Sequence, residues 1–117
     1  MENFSEKIQS LRNEYSDLDL RSEDLNQDPI TQFTKWLDEA IETQIYEPNA
    51  MVLATVYENA PRSRYVLFKN IVNNNLIFHT HYESPKALEI FANPNVSGIF
   101  YCYKFFLGII IFQNIVF

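Results

Sequence analysis

The apolar residues at the start of the chain recur at helical spacing. Residues 3–15 carry Phe4, Ile8 and Leu11 at intervals of four and three positions, which places them on one face of a helix. Ser5 is a candidate N-cap, because its hydroxyl can accept a hydrogen bond from a backbone N–H of the first turn. We therefore predict a first helix over this segment, too short to be stable without packing against other elements.

A longer helix is predicted after an acidic loop over residues 16–27. Asp28 and Pro29 form a strong helix start, since an acidic N-cap is followed by a proline whose missing N–H costs nothing in the first turn. Pro48 is expected to end this helix. The apolar stripe between these two points comprises Ile30, Phe33, Trp36, Leu37, Ala40, Ile41 and Ile45.

Beyond Pro48 the pattern changes to the alternation and the short apolar runs that are typical of strands. Polar turn segments, 58–63 and 73–75, separate three such runs. Short connections of this kind favour antiparallel neighbours, so we predict a three-stranded meander. Its strands cover residues 51–57, 64–72 and 76–82.

A third helix interrupts the strands. Ser84 and Pro85 are expected to cap a helix over residues 86–93, with Leu88 and Phe91 facing inward. A fourth strand is predicted over residues 95–103. The sequence thus indicates an α+β fold in which N-terminal helices precede a small antiparallel barrel or half-barrel.

The tail over residues 104–117 is rich in Ile, Phe and Val, which favours a fifth strand over a helix. Four or five strands leave an open edge that a missing segment, a partner chain or nothing covers. We predict two segments: residues 1–27 form the first helix and the acidic loop, and residues 28–117 form the partial barrel with its apolar tail.

Composition limits the classes of function. The chain has 117 residues, enough for one small domain, and only two glycines, which argues against a glycine-rich phosphate loop. The net charge of −6 is uneven: residues 1–47 hold twelve acids and four bases, and residues 48–117 hold three acids and five bases. This balance does not suggest nucleic acid as a partner, but it leaves room for a small anion in the second half.

Cysteine content and hydropathy bear on location. Cys102 is the only cysteine and cannot form an intramolecular disulfide, which favours a reducing compartment such as the cytoplasm. The polar N-terminus shows no signal peptide. Residues 105–117 are uncharged but are shorter than the roughly 20 residues that span a bilayer, so we expect no membrane anchor.

Basic residues are the best candidates for chemistry. His79 and His81 would share one face of a strand, but they lack a nearby third ligand, and neither a metal site nor a catalytic nucleophile is predicted. Arg64, Lys69 and Lys86 lie in a sparsely charged half, close to the predicted helix start at residue 84. Such a set suits a phosphate, although the same residues also fit ordinary solvated charges at strand ends.

Six segments, in order, resemble the pyridoxamine 5′-phosphate oxidase family. They cover most of the chain from Ser10 to Phe100, and their order and spacing make the match more specific than any one of them. They are SLRNEY (10–15), DLNQDPITQFTKWLDEA (24–40), NAMVLATV (49–56), RYVLFK (64–69), FHT (78–80) and SPKALEIFANPNVS (84–97).

The resemblance implies a split β-barrel that forms a homodimer, with FMN bound at the subunit interface and pyridoxamine or pyridoxine 5′-phosphate as the small-molecule substrate. No residue is assigned a catalytic role. Substrate contacts are implied for Arg12, Tyr15 and Lys69. FMN contacts are implied for Arg64, Tyr65, Val66, Leu67, Lys69, His79, Thr80, Ser84 and Lys86.

Two departures from the family pattern stand out. Pro85 replaces an arginine that usually precedes the helical lysine, and the resemblance fails after Phe100, before the family's substrate-binding half. The tail KFFLGIIIFQNIVF is interpreted either as the product of a shifted reading frame or as the strand of a short paralogue. We expect this chain alone to be inactive; the alternatives are a non-catalytic FMN-binding or remnant protein, or a tail that binds a membrane or partner.

Overall fold

The computed structural model describes residues 3–11, 21–101, 110–112 and 115–116 of the chain. In these residues it shows three α-helices, a short 3₁₀ turn at Ser22–Asp24 and six strands. The helices are α1 (Phe4–Ser10), α2 (Pro29–Glu42) and α3 (Pro85–Ala92). The strands are β1 (Ala50–Tyr57), β2 (Ala60–Val72), β3 (Asn75–Phe78), β4 (Ser97–Phe100), β5 (Ile110–Phe112) and β6 (Ile115–Val116).

The N-cap of helix α1 lies two residues before the predicted one. Asn3 caps it, because the Asn3 side chain accepts a hydrogen bond from the Glu6 N–H at 2.8 Å and the Glu6 carboxylate accepts one from the Asn3 N–H at 3.1 Å. This reciprocal pair is a capping box, which Ser5 could not form. The prediction of Ser5 was wrong, and residues 12–15 of the predicted helix lie outside the described residues.

Helix α2 begins as predicted and ends earlier. The Asp28 carboxylate accepts hydrogen bonds from the backbone N–H and the hydroxyl of Thr31, which confirms the N-cap. The helix ends at Glu42 rather than at Pro48, because Gln44 adopts a left-handed conformation with φ 58°. The Ile45 N–H then bonds back to the Ala40 carbonyl, as in a Schellman motif.

Two tight turns build the meander, which the structure confirms. Glu58 and Asn59, and likewise Asn73 and Asn74, all have positive φ, between 50° and 66°. Two consecutive left-handed residues make a turn whose twist matches that of the paired strands. The first turn is therefore shorter than predicted, and β2 begins at Ala60 rather than at residue 64.

Replacing Asn74 by alanine is expected to lower the free energy of unfolding by about 1 kcal/mol, because a Cβ without a polar group is disfavoured at positive φ. Asn74→Gly keeps the turn accessible and should unfold at the same or a higher urea concentration. Urea unfolding of both variants tests this. Equal stability of the alanine and glycine variants would contradict the turn geometry.

The strand order shows that the sheet is rolled. The order is β5-β4-β1-β2-β3-β6, so the two outermost strands both come from the tail, and only residues 113 and 114 separate them. Six strands in a flat sheet would place the outer two about 24 Å apart. The three Cα–Cα steps from the end of β5 at Phe112 to the start of β6 at Ile115 can span only about 11 Å. The sheet therefore curls towards a barrel, which confirms the α+β partial split-barrel prediction.

The tail pairs with both edges of the sheet formed by β1 to β4. β5 pairs antiparallel with β4, and β6 pairs parallel with β3. Residues 104–117 were predicted to favour a strand, and the described parts of the tail confirm this, as two short strands rather than one. The edges of β3 and β4 thus find their hydrogen-bond partners within the same chain.

The core lies where α2 packs against the sheet. Phe33 of α2 contacts Phe68 of β2 and Phe100 of β4, with ring centroids 5.5 Å and 4.7 Å away, and the latter two rings are 5.8 Å apart. The other buried members of the cluster come from β1, β3 and the segment before β4. They are Met51, Leu53, Leu76, Phe78 and Val96.

The orientation of α3 differs from the prediction. Leu88 and Phe91, which were predicted to face inward, are 55% and 64% exposed, whereas Ala87 and Glu89 are buried. The physical reason is electrostatic, because Glu89 forms ion pairs with two arginines of β2. That attraction turns a polar residue of the helix towards the sheet.

Two strands are shorter than predicted. β3 ends at Phe78, so His79 and His81 follow the strand, and their predicted placement on one strand face was wrong. β4 covers Ser97–Phe100; residues 95, 96 and 101 of the predicted range are not part of it, and residues 102 and 103 lie outside the described residues. In the part of the chain that the structure describes, no helix combines the length and apolar character that crossing a bilayer requires.

Candidate functional site

The start of α3 forms a polar corner. The Ser84 hydroxyl accepts a hydrogen bond from the Ala87 N–H at 3.3 Å, which confirms Ser84 as the N-cap, and it lies 3.1 Å from the Thr80 hydroxyl. Lys86 is half-buried in the first turn and forms no ion pair with any described residue. The backbone N–H of Lys86, two hydroxyls and an unpaired ammonium group together suit an anion.

Glu89 connects α3 to the β1–β2 hairpin. Its Oε2 accepts hydrogen bonds from the Thr55 hydroxyl at 2.6 Å and from Nη2 of Arg64 at 3.0 Å. Its Oε1 accepts a hydrogen bond from Nη1 of Arg62 at 2.9 Å. Both arginines lie on one face of β2, two residues apart, and the carboxylate between them is almost fully buried.

The surroundings of Glu89 keep it ionised. The Thr55 hydroxyl, together with the charges and hydrogen bonds of Arg62 and Arg64, lowers the pKa of the Glu89 carboxyl below its ordinary value of 4.5, although burial acts in the opposite direction. The carboxylate therefore carries its negative charge near neutral pH, where it offsets one of the two arginine charges.

Hydrogen bonds fix the Arg64 side chain but use only some of its N–H donors. Its Nη1 donates to the Leu53 carbonyl at 3.2 Å and to the Thr55 hydroxyl at 2.9 Å, and its Nη2 donates to Glu89. A guanidinium has five N–H donors. Two of them, on Nε and Nη2, have no acceptor among the described residues. With 24% of its side chain exposed, Arg64 can offer these two donors to a bound anion.

Lys69 sits at an irregularity of β2. The pairing register between β2 and β3 shifts between Phe68 and Asn70, which leaves Lys69 as the extra residue of a β-bulge. The Lys69 side chain is exposed and forms no ion pair with any described residue. Bulges often redirect side chains at binding sites, and this one presents a free ammonium group.

A cavity of about 860 Å³ lies on the opposite face of the sheet from Arg64 and Glu89. Side chains alternate between faces along a strand, so Tyr65 and Leu67 point away from the Arg64 side. The cavity is mostly apolar and is bounded by the turn after α2 and by three adjacent strands. Its lining includes Tyr46, Val52, Tyr65, Val66, Leu67 and Ile99.

The residues implied by resemblance thus fall into separate groups. Thr80 and Ser84 are in contact, and Arg64 reaches α3 through Glu89. Tyr65, Val66 and Leu67 line the cavity. Exposed His79 has no hydrogen bond to the described residues, while Arg12 and Tyr15 lie outside them. In residues 3–11 and 21–101, no three His, Cys, Asp or Glu side chains gather where they could hold a metal ion.

The sequence analysis missed the Glu89 cluster. Glu89, Thr55 and Arg62 were not among the predicted site residues; the structure brings Glu89 and Thr55 to Arg64, and Arg62 to Glu89. A signal was present, since two arginines at positions i and i+2 of one strand share a face and need a counter-charge. Three acids follow residue 47, and the sequence does not indicate which of them pairs with the arginines.

Comparison with known proteins gives a consistent result. The family model described as "Pyridoxamine 5'-phosphate oxidase" matches residues 37–112, more than half of the chain. The protein named pyridoxine/pyridoxamine 5′-phosphate oxidase of Leptospira interrogans serovar copenhageni is 42% identical over 96 residues, covering 81% of this chain and 45% of that protein. The protein of the same name from Alcanivorax borkumensis is 47% identical over 91 residues, covering 77% and 44%. The chain spans less than half the length of these relatives.

Solved structures show the same architecture. PhzG from Burkholderia lata, in complex with tetrahydrophenazine-1-carboxylic acid, superposes with a TM-score of 0.67 at 31% identity, covering 75% of this chain and 45% of PhzG. An FMN-binding protein from Nostoc punctiforme, related to pyridoxamine 5′-phosphate oxidase, gives a TM-score of 0.55 at 23% identity, with coverages of 67% and 42%. The second likeness supports the fold alone.

Proposed function

Because this chain belongs to the pyridoxamine 5′-phosphate oxidase family, we propose that it binds FMN and serves an oxidase that acts on pyridoxamine or pyridoxine 5′-phosphate. The observation that carries this proposal is Arg64, which is fixed by three hydrogen bonds and keeps two N–H donors free. A guanidinium with two free N–H donors binds a phosphate monoester well.

The polar corner at α3 and Arg64 fit the phosphate end of FMN. Ser84 and Thr80 offer hydroxyls, and Lys86 offers a positive charge and its backbone N–H. Pro85 offers no N–H, but its place in the first turn does not remove a helical hydrogen bond. The remaining donors are sufficient for a phosphate without the arginine that the family pattern usually has there.

The apolar cavity has the size and lining of a ligand pocket, but it lies across the sheet from Arg64, so it does not hold the ring of an FMN whose phosphate binds Arg64 of the same chain. Ligand pockets generally have volumes of about 300–1,000 Å³ and apolar linings with a few polar groups, and this one has about 860 Å³. Tyr65, Val66 and Leu67 form the β2 part of its lining. Bound FMN supplies the electron-accepting ring that the oxidation of an amine or alcohol carbon requires.

Members of this family differ in the small molecule that they bind. The relatives with 42–47% identity carry the vitamin-phosphate name, whereas PhzG, at 31% identity, was solved with a phenazine carboxylic acid. Higher identity favours the phosphorylated substrate. We assign Lys69, with its free ammonium group at the bulge, to the substrate as well as to FMN, and Arg12 and Tyr15 to the segment that covers the substrate.

We also propose a homodimer in the cytoplasm. The sheet face that carries the cavity exposes Tyr46, Tyr65 and Tyr101, which are large side chains that a second copy could bury. Aromatic residues of this kind are enriched at subunit interfaces. The cytoplasmic location rests on Cys102, the lone cysteine, which cannot be part of an intramolecular disulfide.

An FMN titration of the purified chain tests the proposal directly. Flavin fluorescence and oligomeric state are followed together, and riboflavin, which lacks the phosphate, is titrated in parallel. We expect saturable binding of one FMN per chain, tighter than that of riboflavin. Binding of neither flavin would contradict the proposed function, and equal binding of the two would contradict the phosphate site.

Lys69→Ala is expected to weaken FMN binding by about tenfold, the typical loss for one charge-assisted hydrogen bond. Lys35→Ala serves as a matched control, because Lys35 is an exposed lysine on α2, away from the polar corner and the cavity. The Lys35→Ala variant should bind FMN with the affinity of the wild type. If both variants bind FMN alike, Lys69 makes no contact with the flavin.

A further inference from the structure

We propose that Glu89 is a positioning residue for flavin phosphate, which holds Arg64 in its binding geometry through a closed ring of hydrogen bonds with Thr55. This inference rests on the proposed FMN site and adds a residue that the resemblance does not assign. Arg64 donates to both Thr55 and Glu89, and the Thr55 hydroxyl donates in turn to the same Glu89 oxygen. Each of the three side chains thus restrains the other two.

The ring fixes one end of Arg64 and leaves the other end available. An arginine side chain has many rotamers, and a free one would have to be ordered when an anion binds. Here Glu89, Thr55 and the Leu53 carbonyl order it in advance. Both Glu89 oxygens are occupied by protein donors, so a phosphate can add to the unused donors of Arg64 without displacing the carboxylate.

Glu89 also sets the charge of the cluster. Without it, Arg62 and Arg64 would face each other's positive charge on the same side of β2. The carboxylate offsets one of these charges and leaves the cluster with one positive charge for a phosphate. Because Arg62 is 51% exposed and Arg64 only 24%, water can solvate Arg62, whereas Arg64 depends more on its protein partners.

Two substitutions separate the positioning role from simple packing. Glu89→Met fills a similar volume and removes both acceptors, so Arg64 loses one of its three restraints and Thr55 loses its acceptor. Glu89→Gln keeps one acceptor oxygen, which can serve Thr55 and Arg64 while the amide faces the more exposed Arg62. The glutamine variant should therefore preserve the Arg64 geometry and rescue the function that methionine removes.

The measurement is the ratio of dissociation constants for riboflavin and FMN, determined with the full chain. We expect Glu89→Met to weaken FMN binding at least tenfold and to leave riboflavin binding unchanged, which lowers the ratio by the same factor. Glu89→Gln should keep the ratio within about threefold of wild type, because a neutral acceptor retains most of the hydrogen bond. A purely structural role would weaken both flavins together.

Thr55→Val provides a second route if the methionine variant does not fold. It preserves the branched shape in β1 and removes the hydroxyl that closes the ring, so the ratio should fall here too. An unchanged ratio in the variants that fold would overturn this inference while leaving FMN binding intact. A wild-type chain that binds neither flavin would overturn the proposed function itself, and this inference with it.

Discussion

Phe33→Ala is expected to lower the free energy of unfolding by about 3–5 kcal/mol, the usual cost of deleting a buried phenylalanine ring. Phe33 is almost completely buried and contacts Phe68 and Phe100, which come from two different strands. The substitution would open a cavity where α2 meets the sheet. Small domains have a total stability of only about 5–15 kcal/mol, so the variant should be partly unfolded under mild denaturing conditions.

Urea unfolding followed by circular dichroism measures this effect. Ile41→Ala is the matched control, because Ile41 lies on the same helix and is 55% exposed, although the sequence pattern placed it on the apolar stripe. It should change stability by no more than about 0.5 kcal/mol. Equal losses in the two variants would mean that α2 does not pack through Phe33 as described.

Arg64→Met is expected to weaken FMN binding by about a hundredfold, because two charge-assisted hydrogen bonds to the phosphate are lost and the charge is removed. Riboflavin has no phosphate, and its binding should change little. Isothermal titration with both flavins measures the difference. The unfolding midpoint of the variant should be recorded as well, since removal of Arg64 leaves Glu89 with one ion pair fewer.

Arg62→Met is a demanding control for this result. Arg62 lies on the same strand face, two residues away, and it also bonds to Glu89, but its side chain is half exposed and is not among the positions implied to contact FMN. We expect its FMN affinity to stay within about threefold of wild type. A comparable loss of FMN affinity in both variants would show that the positive charge of the cluster, and not the hydrogen bonds of Arg64, attracts the phosphate.

Local signals in the sequence predicted the elements well and their ends less well. Asp28 and Pro29 start α2 as expected, since capping depends on neighbouring residues alone. Its end depends on Gln44, a residue with no glycine-like freedom that nevertheless adopts positive φ. A pattern of apolar residues does not reveal this, because the Schellman bond to Ala40 forms only when the chain turns towards β1.

The candidate site was predictable in its basic residues but not in its carboxylate. The sequence predicted a helix start at Ser84 whose hydroxyl and neighbouring Lys86 would suit an anion. The face of α3 could not be predicted, because Leu88 and Phe91 suggested an apolar inner side and the ion pairs of Glu89 determine the opposite orientation. An interaction between residues 25 positions apart is invisible to periodicity.

The pairing of β5 and β6 has a consequence for folding. The strands that cover the two edges of the central sheet come only from residues 110–112 and 115–116. A chain in which this segment has not yet paired exposes the backbone groups of β3 and β4 to other chains. Refolding at high protein concentration should therefore lower the yield of folded protein.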